Sequence, residues 1–175
     1  MWLVLATFAA GFFAWTLLEY AIHGWLGHRF HTFVTPMHAV HHRDPRAVFA
    51  IGAWLPAAAL LAILYAAFGW SPATVFYASL VCGFIAYEVI HYRLHFATRL
   101  THWERELRAH HLAHHFARPQ ACFGVTTRLW DRVFGTDWNL PGPLRQAIAQ
   151  VPPLSGPSNL AYLLGFDGRR QQRAV

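Results

Sequence analysis

Ten of the thirteen histidines fall into four tight boxes: His23 with His28, His38 with His41 and His42, His91 with His95, and His111 with His114 and His115. Ten imidazoles are too many for one ion and enough for two, so the boxes point to a dinuclear metal centre. Imidazole suits iron, zinc, copper and nickel alike, and ligand type alone does not choose among them. On an α-helix each residue advances about 100°, so positions i, i+3 and i+4 share a face. His38, His41 and His42 have that spacing, as do His111, His114 and His115, and His91 with His95 is an i, i+4 pair. A helix carrying its histidines this way aims two or three imidazoles at one point without distorting its backbone. His23 and His28 are five apart, about 140° off one face of an ideal helix. Gly24 and Gly27 between them predict that the helix ends or loosens there. His31, His102 and His110 lie outside the boxes. His110 is four before His114 and could replace or supplement His111, but the repeated His-x-x-His-His pattern favours His111.

Burying this many imidazoles beside apolar sequence is costly unless each lone pair has a partner, and a metal ion supplies one. Repeated carboxylates are absent. Soluble di-iron bundles take Glu and Glu-x-x-His as ligands, whereas every repeated element here is histidine, so the ligands are neutral and the centre stays strongly positive. Glu19, one turn before His23, and Glu88, three residues before His91, are then expected to accept hydrogen bonds that orient the imidazoles. No catalytic residue separate from the metal ligands stands out.

The elements that must position these boxes are membrane spans. Apolar residues make up 55% of the chain and charged ones 13%, and the apolar ones are concentrated in three blocks. Residues 2–22 carry Glu19 as their only charge and are long enough to cross a hydrocarbon core of about 30 Å. No basic residue precedes this run and no cleavage site follows, so it reads as a retained anchor and not a signal peptide. Residues 47–68 form a second run with Pro56 inside it, which a membrane helix tolerates. After the turn Gly69-Trp70-Ser71-Pro72, with Ser71 as N-cap, residues 73–92 form a third. Residues 101–116 are polar and helical in pattern, carried by Trp103, Leu107 and Leu112.

Three crossings bring all four boxes to one side. All 14 basic residues are arginine, and none lies before Arg29 or between Arg46 and Arg93, which puts the histidine side in the cytoplasm and the N-terminus outside. Arginines that flank apolar runs in this way argue against a nucleic-acid binder. Cys82 and Cys122 have no C-x-x-C partner and are expected to be reduced, structurally minor thiols. The expected fold is therefore all-α, an integral membrane protein of about three transmembrane helices with a cytoplasmic helical cap that carries the di-metal site. Residues 1–138 form the membrane-embedded histidine-box domain, and residues 139–175 an irregular tail rich in Pro and Gly.

In their order and spacing the four boxes resemble the membrane-bound fatty acid hydroxylase and sterol desaturase superfamily. The closest likeness is to the fatty acid 2-hydroxylase branch. It is carried by Ala109-His110-His111-Leu112-Ala113-His114-His115-Phe116, by Phe123-Gly124-Val125-Thr126-Thr127, and by Leu129-Trp130-Asp131-Arg132-Val133-Phe134-Gly135-Thr136. Glu19-Tyr20-Ala21-Ile22-His23 and His91-Tyr92-Arg93-Leu94-His95-Phe96 fit as well, so the likeness covers about residues 15 to 138. It implies a non-haem di-iron monooxygenase that hydroxylates a lipid acyl chain, of a fatty acid or a sphingolipid-like molecule, with O2 and two external electrons. The ten boxed histidines would hold two iron ions, with zinc an alternative in the purified protein. The eukaryotic hydroxylases often carry a fused cytochrome b5 domain; none precedes the first span here, so the expected donor is a separate cytochrome b5-like protein or ferredoxin. Three spans, against the four usual in that branch, are a departure. A carotenoid hydroxylase shares the His-His followed by Pro, as in His41-His42-Arg43-Asp44-Pro45, but usually has a wider third box, and it ranks second beside sterol desaturase-type oxidation of another lipid. Desaturation and hydroxylation share their first step, hydrogen removal. A membrane metal transporter would place ionisable ligands in mid-span, and a haem electron carrier needs only two axial histidines, so both non-enzymatic readings leave most boxes unused.

Overall fold

A computed structural model describes residues 1–164, and these form helices and loops with no strand among them. Helix α1, Trp2–Tyr20, runs without a break into a π-helix, Ala21–Arg29. Then follow α2 Val34–Arg43, α3 Ile51–Phe68, α4 Pro72–Phe96, α5 His102–Phe116, α6 Leu129–Phe134, α7 Gly142–Ala149 and α8 Asn159–Leu163. Three stretches, Trp2–Arg29, Ile51–Phe68 and Pro72–Phe96, are long and apolar enough to cross a membrane.

The main helix pair is α1 against α4. Gly83 lets the two backbones approach, because a Cβ there would lie 2.5 Å from the Cβ of Trp15, the small-residue contact by which membrane helices associate. Helix α4 is capped as the sequence suggests, with Ser71 Oγ accepting from Thr74 N at 3.3 Å. It continues past residue 92 to Phe96, so His95 is helical. Helix α3 runs on through Pro56 and has no buried residue. It begins at Ile51, later than the hydropathy suggests, because the backbone just before it bonds elsewhere: Ala50 N donates to Glu88 and Phe49 N to Asn159.

Helix α5 opens on a capping box in which Thr101 accepts from Glu104 N and Glu104 accepts from Thr101 N, a reciprocal cap that fixes where the helix starts. Leu94, Leu107 and Val125 bury themselves between α4, α5 and the loop after α5. Leu112, Ala113, Leu140 and Ile148 form a second cluster that fastens the tail to α5. The tail is less irregular than its composition suggests. Pro143 sits in the first turn of α7 and Ser158 caps α8, its Oγ accepting from Ala161 N, so Pro and Ser mark helix starts there.

Candidate metal centre

The ten boxed histidines come together as two groups of five, His23, His28, His38, His42 and His114 in one, and His41, His91, His95, His111 and His115 in the other. Within each group the ligand atoms all lie within 4.8 Å of one another. Each group combines two pairs and a single ring. The pairs His38 and His42, His91 and His95, and His111 and His115 are one helical turn apart, as their spacing requires. The fourth pair is His23 and His28, and here the helix loosens without ending. The π-helix bonds five residues along, as in Phe30 N to Trp25 O at 2.7 Å, and that wider turn brings positions i and i+5 to one side. The boxes are also interleaved: α2 gives His38 and His42 to the first group and His41 to the second, while α5 gives His114 to the first and His111 and His115 to the second. The rings of His42 and His115, from different groups, stack 4.4 Å apart.

Electrostatics favour the neutral, ligating form. Burial, followed by the neighbouring imidazoles, holds His38, His41, His111 and His115 well below the usual histidine range, and burial lowers His42. His114 is brought down to about 3 by burial and by His28. Two tautomers follow from the backbone. His23 Nδ1 lies 2.5 Å from the Phe123 carbonyl and His114 Nδ1 2.8 Å from the Ala121 carbonyl. A carbonyl only accepts, so each Nδ1 carries the hydrogen and each neutral Nε2 presents a lone pair. Those two Nε2 atoms face each other at 3.0 Å, and His114 Nε2 also lies 3.1 Å from His28 Nε2 and 3.0 Å from His42 Nε2. Lone pairs converging in a buried site call for a cation, and an all-imidazole donor set suits a transition metal over magnesium or calcium.

The two acidic residues behave differently from expectation. Neither touches an imidazole. Glu19 accepts from Val125 N at 2.6 Å, Thr126 N at 2.9 Å and the Thr126 hydroxyl. Glu88 accepts from Ala50 N at 3.0 Å and Trp54 Nε1 at 3.1 Å. Both satisfy backbone donors of loops that pass behind the histidines, and Glu19 reaches the site only through the loop whose Phe123 carbonyl holds His23. His110 stays out of both groups; it pairs with Asp131 at 3.0 Å. His31 and His102 are exposed. Asp131 is the residue that pattern reading misses. Fully buried, it accepts from Phe123 N, Gly124 N and Thr136 Oγ1 as well as from His110. Burial works to raise its pKa, but His110 and the other donors outweigh it and bring it below the ordinary carboxylate value. Only the four donors around it, three of them within eight residues, could have signalled this role.

A cleft of 360 Å³ opens beside the first group, lined by Tyr20, Trp25, Phe123 and Phe134 with His28 in its wall. Arg29, Gln120 and Thr136 supply its polar lining.

Fold and site define a helical membrane protein with paired five-imidazole groups where its long helices end. The sequence model of the fatty acid hydroxylase family matches residues 8–136, and the chain belongs to that family. The fatty acid 2-hydroxylase of Homo sapiens is 34% identical over 150 residues, 74% of this chain and 38% of that protein. The dihydroceramide fatty acyl 2-hydroxylase FAH2 of Arabidopsis thaliana is 32% identical over 147 residues, 77% of this chain and 60% of that protein. Among solved structures, full-length scs7p, with only its hydroxylase domain visible, matches with a TM-score of 0.65 at 28% identity, over 87% of this chain and 59% of that one. The chain thus spans 38% to 60% of the length of these relatives.

Proposed function

We propose that this chain hydroxylates the acyl chain of a lipid, using O2 and two electrons from a cytochrome b5-like or ferredoxin donor, at a pair of iron ions held by the two imidazole groups. The position attacked is the carbon next to the carbonyl, as the names of the 2-hydroxylase relatives say of those proteins. One observation carries the reading: ten imidazoles converge as two groups of five at the ends of apolar helices. His23, His28, His38, His42 and His114 would hold one ion, and His41, His91, His95, His111 and His115 the other. Iron, when bound, supplies the reductive activation of O2 that an unactivated C–H bond requires.

The chain's own residues do the rest. The Phe123 and Ala121 carbonyls fix which nitrogen of His23 and His114 faces inward, which keeps the ligand lone pairs aimed. The aromatic walls of the cleft at His28 take the apolar chain and exclude water, while Arg29, Gln120 and Thr136 face the polar end of the lipid. No arginine precedes Arg29 or falls between Arg46 and Arg93, so in sequence the arginines keep to the stretches that carry or follow the histidine boxes, which supports a cytoplasmic site. The hydroxylase unit would lie within residues 1–138, with the remainder as its tail. The test is product analysis of lipid extracts from cells grown under labelled O2, comparing wild type with His114→Ala. Labelled 2-hydroxyacyl lipid should be present in the first and absent in the second; equal amounts would refute the proposal.

A further inference from the structure

We propose that residues 151–159 are a brace that positions His41, His91 and His95, and that this brace governs retention of the ion held by the second group. The inference rests on reading the two groups as metal sites. It concerns a segment that lies beyond the residues matched by the family, 8–136.

Helix α4 carries His91 and His95 in its final turns. The last carbonyls of a helix have no partner within it and must find one outside. At the end of α4, Arg93 O accepts from Ala97 N at 3.0 Å, the ordinary close of the helix. Leu94 O instead accepts from Arg108 Nε at 2.8 Å, and His95 O from Leu154 N at 2.8 Å. The same Arg108 guanidinium donates to Val151 O at 2.8 Å. The tail and α5 therefore cap α4 together, and one of the two tail contacts is made to the backbone of a candidate ligand.

The second anchor is Asn159. Its backbone N–H donates to Arg46 O at 2.9 Å, its side-chain amide donates to Phe49 O at 2.8 Å, and its side-chain oxygen accepts from Phe49 N at 3.1 Å. All three bonds grip the chain between α2 and α3, which also forms the wall behind the second group. That stretch packs on α4 beside His91, with Ala50 N donating to Glu88 at 3.0 Å and the Phe49 ring stacked 5.5 Å from that of Tyr92, while Nδ1 of His41 and of His91 has no hydrogen-bond partner among the described residues. His111 and His115 likewise have no Nδ1 partner among the described residues. The first group is held differently, by the Phe123 and Ala121 carbonyls. The second group thus depends on a wall fixed from behind, and Asn159 fixes it. Asn159 and Arg108 are positioning residues: neither reaches a lone pair of the site.

The experiment uses the full chain in detergent micelles, loaded with zinc, and measures bound zinc per chain after gel filtration together with the zinc affinity. Wild type should hold two ions. Asn159→Ala should hold one, with the weaker ion bound at least about tenfold less tightly, the worth of one or two hydrogen bonds, and with unchanged helicity. His28→Ala should also hold one, and the double variant none, because the two changes empty different groups. Asn159→Asp, which keeps the acceptor for Phe49 N but sets a carboxylate oxygen against Phe49 O, acceptor against acceptor, should weaken the same ion at least as much as Asn159→Ala. Two ions held by Asn159→Ala at wild-type affinity would overturn the brace, as would a double variant that still holds one. A wild type that binds no zinc would overturn the metal reading itself, and the brace with it.

Discussion

Replacing Asp131 by Asn should loosen the protein more than any other single-atom exchange outside the histidines. The carboxylate accepts at 2.8 Å from Phe123 N and 2.7 Å from Thr136 on one oxygen, and at 2.7 Å from Gly124 N and 3.0 Å from His110 on the other. With the amide oxygen of Asn in the first position, the first two bonds survive as neutral ones and each weakens by about 1 kcal/mol. The amide nitrogen then faces the Gly124 N–H, donor against donor, and an unpaired buried N–H costs about 1–3 kcal/mol. His110 can adapt by changing tautomer and accepting from that nitrogen, since its Nδ1 lies 3.6 Å from Asp137. The sum is about 3–5 kcal/mol, a large share of the roughly 5–15 kcal/mol that holds a typical domain together. At about 2–4 °C per kcal/mol for a chain of this size, thermal unfolding in micelles, followed by tryptophan fluorescence, should begin roughly 6–20 °C lower. Because Phe123 hangs from Asp131 by its N–H and holds His23 by its carbonyl, zinc in the first group should weaken as well. A variant that melts within about 2 °C of wild type and keeps both ions would refute this account.

Neighbouring histidines should report different ions. His41→Ala should copy His91→Ala, and His42→Ala should copy His28→Ala, in the order of zinc loss on chelator titration; identical behaviour of His41→Ala and His42→Ala would count against the interleaving. Gly24→Ala would place a methyl carbon 2.8 Å from the Phe123 ring, so it should destabilise by about 1–3 kcal/mol through overpacking, measured by thermal unfolding, and an unchanged melt would show that the ring can yield. Glu104 is held down to about 2 by its hydrogen bond from Arg93 and then by the Thr101 backbone N–H. Its folded value lies below the ordinary 4.5, so the pair's contribution is complete above that pH and disappears as pH falls through about 2. Glu104→Gln should therefore flatten the fall in melting temperature over this acid range, and an equally steep fall in the variant would remove Glu104 as a cause.

The spans and the polar helix α5 were legible because hydropathy, capping and periodicity are local: Ser71-Pro72 announces α4, and the spacing of Trp103, Leu107 and Leu112 announces α5. That the boxed histidines converge was legible because a helical turn converts spacing into direction. Interleaving was not, since which member of His38, His41 and His42 faces which group depends on how α2 lies across α5. His23 and His28 looked mismatched only against an ideal α-helix; the chain changes its turn to suit them. Glu19 and Glu88 were expected to serve imidazoles, the nearest polar groups in sequence. Burial makes the unpaired backbone N–H groups of passing loops the more demanding partners, and those arrive from residues 125 and 126 and residue 50. The grip of Asn159 on Phe49 crosses 110 residues and leaves no pattern in the chain.

Helix α3 has every residue at least partly exposed and, among the described residues, rests chiefly on α4, through Tyr77 to Ala57 and Thr74 to Leu64, with Trp54 reaching Glu88. In a bilayer the apolar effect gives it no reason to stay there, because lipid tails are as good a surrounding as another helix. For this helix the acyl chains of the membrane complete the packing that a protein core would otherwise provide. The solvent is then a structural component: a short-chain detergent replaces the neighbours of α3 and loosens it first, and with it the wall at residues 46–50 that stands behind His41 and His91.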